Sequence, residues 1–117
     1  MTAESRVVPV ADFLQLSEGE PIRSVVQESP ESCIVVWHLD PGQEIAAHTH
    51  PDGQDTWTVL CGSAEYLQGN GISSLIKAGE IAIARSGQIH GAKNTGDQPF
   101  IFVSVVAPGN ASHQLLE

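Results

Sequence analysis

The chain has 117 residues, 14 acidic and 5 basic side chains, a net charge of −9 and 41% hydrophobic residues. That length holds one domain, and that apolar share excludes a disordered chain. The acidity excludes nucleic acid as a partner, because phosphate neutralisation needs clustered Lys and Arg; anionic membrane surfaces are disfavoured for the same reason.

The opening M-T-A-E-S-R-V-V-P-V lacks the basic-then-apolar order of a signal peptide. No apolar run approaches the ~20 residues of a membrane span, so a cytoplasmic location is expected. Residues 1–30 are less regular than the rest; P-V-A-D-F-L-Q-L-S (9–17) could hold a strand and a turn of helix. From there short β-branched and aromatic runs recur between turn residues. C-I-V-V-W-H-L (33–39) comes first, and T-W-T-V-L (56–60) follows. A-E-Y-L-Q (64–68), G-N-G and I-S-S-L-I (72–76) read as a hairpin, because Gly and Asn tolerate positive φ. I-A-I-A (81–84) and F-I-F-V-S-V-V (100–106) complete the set, with Phe100 and Phe102 on one core-facing side. D-P-G (40–42), A-G-E (78–80), S-G-Q (86–88) and T-G-D (95–97) break the runs. Many short strands at near-regular spacing predict an all-β sandwich or barrel. The tail A-S-H-Q-L-L-E (111–117) packs on the barrel, packs on a partner subunit, or frays; its His113 is assigned no role.

Cys33 and Cys61 have no C-x2-C spacing, and both are expected to be buried free thiols. The histidines are more informative. His48 and His50 flank one residue in H-T-H-P-D-G-Q-D, so on a strand they share a face, with rings expected to lie parallel. A shared metal ion is the commonest reason for such a pair. His90, in S-G-Q-I-H-G-A-K-N, is far away in sequence but could meet them on the inner wall of a barrel. A nearby carboxylate would complete a mixed nitrogen and oxygen site, of the type that suits Fe, Mn, Ni or Zn.

Two spacings then carry a resemblance. Gly42, five residues, His48-Thr49-His50, four residues, Asp55, six residues and Gly62 form the first. Gly79, five residues, Arg85-Ser86-Gly87, two residues, His90, three residues and Asn94 form the second. Together they resemble the two motifs of the cupin superfamily, over residues 42–62 and 79–94. The resemblance implies a single small cupin domain over 1–117, folded as a double-stranded β-helix (jelly-roll) barrel. It implies one divalent transition metal held by His48, His50, Asp55 and His90, and a homodimer. Two positions depart from the pattern: Asp55 stands in place of the usual glutamate and Arg85 in place of a proline. Strand phase favours Asp55, which would turn Asp55, Trp57, Val59 and Cys61 inward; Gln54 is the alternative ligand, or a general base. Arg85, Trp57, Tyr66 and His38 are possible substrate-binding residues, each with a plain structural alternative: Arg85 as a solvated rim residue, His38 as a hydrogen-bonded core histidine. The function expected is a metal-dependent enzyme on a small oxygen-rich or aromatic metabolite, dioxygenase-like by preference, with isomerase, cyclase and decarboxylase chemistries open. The alternative is a non-catalytic small-molecule binding or sensing domain, since fold does not choose between them.

Overall fold

The computed structural model describes residues 6–116; residues 1–5 of the irregular N-terminal stretch and Glu117 of the tail lie outside the described residues. A 3-10 turn at Val10–Phe13 precedes ten strands: β1 (Ser24–Glu28), β2 (Cys33–Leu39), β3 (Glu44–Thr49), β4 (Gln54–Cys61) and β5 (Ser63–Gly69), then β6 (Ile72–Lys77), β7 (Ile81–Ala84), β8 (His90–Lys93), β9 (Phe100–Ala107) and β10 (Gln114–Leu115). They form two antiparallel five-stranded sheets, ordered β1-β2-β9-β4-β7 and β10-β3-β8-β5-β6. This is the all-β double-stranded β-helix that the sequence predicts. The strands β1, β8 and β10 carry weak local signals, because they are short and β8 contains Gly91.

The core lies between the sheets. Leu39, Trp57, Val59, Phe100 and Phe102 come from the first sheet, and Ile45, Ala64, Tyr66, Ile76 and Ala92 from the second. Phe100 and Phe102 share the inward face of β9, as their spacing predicts, and Phe102 stacks on Trp57 with ring centroids 4.1 Å apart. The G-N-G hairpin is present: Asn70 and Gly71 have φ of 55° and 73°, the two left-handed residues that a tight two-residue turn needs.

Two irregularities in strand register position the site. On β3, Ile45 pairs with Ala92 while His48 pairs with His90, so three steps on β3 match two on β8. Strict alternation would put His48 on the face opposite Ile45. The extra residue of this bulge restores the phase, so the buried Ile45 and the histidines face the same interior. Gly91 makes the bulge possible. A Cβ at Gly91 would lie 2.7 Å from the Ile45 carbonyl oxygen and 3.0 Å from the Ala47 Cα. On β4, Val59 pairs with Phe102 and Cys61 with Ile101. This second bulge corrects the expectation for Cys61: Asp55, Trp57 and Val59 are buried, but Cys61 is turned out to solvent. Cys33 is buried as expected.

Candidate metal centre

His48 comes from β3 and His50 from the turn after it. Asp55 sits near the start of β4 and His90 at the start of β8. One potential ligand atom from each of these four lies within 4.8 Å of every other. The Asp55 Oδ2 is 3.0 Å from the His90 Nε2 and 3.4 Å from the His50 Nε2. Two donors each about 2.1 Å from one ion, at right angles, are about 3 Å apart, so these contacts match neighbouring ligands of one metal. The rings of His48 and His50 are not parallel. Their centroids are 5.1 Å apart at 89°, because His50 has left the strand and turns edge-on to converge with its neighbour.

The outer nitrogens are all used. His48 Nδ1 lies 2.8 Å from the Ala46 carbonyl, His50 Nδ1 2.9 Å from that of Ser112, and His90 Nδ1 3.1 Å from that of Gln88. A carbonyl oxygen only accepts, so each Nδ1 carries the proton, and each neutral ring presents the Nε2 lone pair inward. Those lone pairs face a carboxylate, an arrangement that a cation resolves and that otherwise needs an imidazolium. The Asp55 Oδ1 accepts a hydrogen bond from the buried Ser104 hydroxyl at 2.6 Å.

The charges follow. Burial opposes ionisation of Asp55, but in the metal-free cluster hydrogen bonds from the imidazolium forms of His50 and His90, with that from Ser104, outweigh it and hold the carboxyl well below its usual range. Burial, helped by the neighbouring His90 and His50, lowers His48 to about 4 against the partial support of the Ala46 carbonyl. The contact with Asp55 raises His50 despite its own desolvation. His48 is thus neutral at neutral pH, the state in which imidazole binds a metal.

The cluster opens on a cavity of about 440 Å³. Trp57 lines it, as do Val35, Trp37 and Val106 from the same sheet. Of the other residues singled out for substrate contact, none lines it. Tyr66 packs edge-on behind Trp57, ring centroids 5.3 Å apart, and burial and the Asp55 charge push its hydroxyl up to about 12. His38 is buried on the outward phase of β2, its Nε2 4.0 Å from Asp40. Arg85 is exposed in the turn after β7, where its backbone N–H donates to the Gln88 side chain. Gln54 is exposed too, on the face of β4 opposite Asp55, because neighbouring residues on a strand face opposite ways.

Three residues at the site escaped the sequence reading. Ser104 had a signal, being the polar residue on the inward phase set by Phe100 and Phe102. His113 had none; the tail folds back as β10 onto β3 and brings its ring within 6.4 Å of those of His48 and His50. The tail is pinned there by Asp52, which accepts from the Ser112 N–H and hydroxyl. Arg23, just before β1, lines the cavity from the far side and donates from Nη2 to the Cys33 sulfur at 3.3 Å. In the second motif, Asn94 is structural: its Nδ2 donates to the carbonyls of Leu39 and Gln98.

A double-stranded β-helix with three histidines and a carboxylate converging at one end of its interior defines a class, the small β-barrel that can hold a metal. The chain belongs to the cupin family: the Cupin domain model matches residues 35–106. It is similar to an uncharacterized conserved protein with a double-stranded β-helix domain from Klebsiella pneumoniae subsp. pneumoniae, a crystal structure 64% identical, covering 97% of this chain and 99% of that one, with a TM-score of 0.95. TT1209 from Thermus thermophilus shares the fold at 22% identity and a TM-score of 0.82, over 89% of this chain and 98% of that one. An oxalate-binding protein from Thermotoga maritima is 31% identical over 68 residues, which is 58% of this chain and 55% of that protein. The match thus spans about half the length of that curated relative.

Proposed function

We propose that this chain is a metal-dependent enzyme acting on a small oxygen-rich or aromatic metabolite, dioxygenase-like by preference. One observation carries the reading. Three histidines each spend Nδ1 on a backbone carbonyl and aim Nε2 at one point beside the buried Asp55. In that reading His48, His50, Asp55 and His90 hold one divalent ion, of which Fe, Mn, Ni and Zn all suit the donor set. When bound, such an ion supplies Lewis acidity and, if redox-active, electrons for O2 chemistry. The chain's own residues do the rest. Ser104 fixes the carboxylate, the backbone carbonyls fix the ring tautomers, and Trp57, Trp37 and Val35 give an apolar wall that excludes water. These four residues would hold the ion and leave room on it for ligand oxygens. His113, above the cluster, is the side chain best placed to exchange a proton with a ligand bound there.

A second reading, a binding protein without turnover, is favoured by the oxalate-binding relative. We further propose a small-molecule ligand rather than a nucleic acid or membrane partner, and a cytoplasmic homodimer. The exposed Leu60, Ile81 and Ile83 on β4 and the edge strand β7 offer apolar surface for self-pairing. Among the described residues no helix is long and apolar enough to cross a membrane. The test is metal analysis by plasma mass spectrometry of untagged protein and of a His48→Ala/His90→Ala variant, followed by oxygen uptake. About one equivalent of transition metal, lost in the variant, is expected. No metal in either protein after reconstitution overturns the enzyme reading. Metal with no oxygen uptake in a metabolite screen overturns its dioxygenase form.

A further inference from the structure

The cavity has a second polar end. Of the five Lys and Arg residues, Arg23 alone lines it. Among the described residues its guanidinium has no carboxylate within ion-pairing distance, and its hydrogen-bond partner is the Cys33 sulfur, a weak acceptor. Between Arg23 and the His cluster the wall is apolar, built from Val35, Trp37, Val106 and Trp57. Among the described residues the buried Trp57 Nε1–H has no acceptor. With a divalent ion bound, the cavity would hold the ion and Arg23 against the single charge of Asp55. That leaves a positive interior in a molecule of net charge −9.

Strand register sets the distance between the two ends. Cys33 pairs with Val106, and Val106 pairs with Asp55, so the Cys33 thiol that Arg23 touches lies two strands from the carboxylate. Two interstrand steps are about 10 Å. The two polar ends are thus anchored on strands two apart, a wider separation than two directly joined carboxylates span.

We infer that Arg23 is the specificity-determining residue of this cavity, holding the free carboxylate of a small acid whose other oxygens reach the metal end. The layout fits an acid with one anionic end and a short apolar middle that runs along the apolar wall. Oxalate, whose two carboxylates are directly joined, is too short to reach both ends. The inference rests on the metal reading for the far end of the ligand, while the Arg23 end is a property of this chain alone.

Calorimetric titration tests both separately. Zn2+ is titrated first into wild type, Arg23→Ala and Arg23→Lys, then succinate or oxalate into each. Arg23 is exposed before β1, so the variants are expected to keep the wild-type circular dichroism and the same Zn2+ affinity. Succinate is expected to lose about ten- to a hundredfold in affinity in Arg23→Ala, with partial recovery in Arg23→Lys, which keeps the charge but not the planar fork. Oxalate is expected to bind all three alike. Equal succinate binding by wild type and Arg23→Ala, no succinate binding by Zn2+-loaded wild type, or an equal loss for oxalate overturns the inference. If wild type takes up no Zn2+, the metal reading fails by itself. Succinate on the metal-free protein then decides, since weaker binding that still depends on Arg23 supports the clamp, and binding indifferent to Arg23 overturns it.

Discussion

Replacing Ser104 by alanine tests whether the carboxylate is held in place from behind. The Ser104 hydroxyl donates to Asp55 Oδ1 at 2.6 Å, and both residues are almost fully buried. A hydrogen bond to a buried charge contributes about 1.5–3 kcal/mol. The alanine leaves Oδ1 facing apolar neighbours with no donor, and it frees Asp55 to swing from the His50 and His90 nitrogens. Loss of a residue that orients a metal ligand lowers metal affinity roughly 10- to 100-fold. At about 1.4 kcal/mol per tenfold, this matches the size of the lost hydrogen bond. The assay is competition for Zn2+ or Mn2+ against a chelating dye, with thermal melts beside it. Ser104→Thr keeps the hydroxyl and is expected to recover most of the affinity. Ser73→Ala is the control: that hydroxyl donates to Glu65 at 2.7 Å but is exposed and remote from the cluster, so little change is expected. If Ser104→Ala binds metal within about twofold of wild type and melts at the same temperature, Asp55 is not positioned as argued.

Other substitutions probe the frame and the charges. Gly91→Ala forces a Cβ against the Ile45 carbonyl, so it should cost about 1–3 kcal/mol in urea unfolding and weaken metal binding through His48. Wild-type metal affinity in that variant would falsify the role given to the bulge. In the metal-free protein, His48 titrates near 4 in the fold and near 6.5 when unfolded. The unfolded chain therefore binds the extra proton between these values, and stability rises with pH across that window. His48→Gln should flatten this part of the profile; an unchanged slope would mean that His48 is not desolvated. The raised His50 has the opposite sign, contributing stability that is lost as pH climbs above its folded-state value. Metal bound only by the fold should raise the melting temperature, by about 2.7 kcal/mol in stability at a hundredfold excess over Kd, and a chelator should reverse it. Light scattering of Ile81→Asp/Ile83→Asp checks the homodimer: a shift to monomer is expected, and an unchanged dimer would move the interface elsewhere.

Local patterning determined much of this protein. Alternating β-branched runs and their turns specified strands β2, β4, β5, β6, β7 and β9, because side-chain phase and turn geometry are short-range properties. The spacing of His48, His50, Asp55 and His90, through the family resemblance it carries, brought the cluster to notice, and in the structure Asp55 lies on the buried face of β4 and Gln54 on the exposed one. What only the tertiary structure decided depends on contacts between distant segments. The bulge opposite Gly91 lets His48 share the interior with Ile45, and the bulge before Cys61 turns that thiol outward; both arise from pairing with a partner strand, which period-two counting along one strand does not contain. Arg23 and His113 reach the cavity from the two ends of the chain, and Arg85, inside a motif, stays outside it. Sequence distance places no limit on which side chains two packed sheets bring together, so this part of the site is set by the fold.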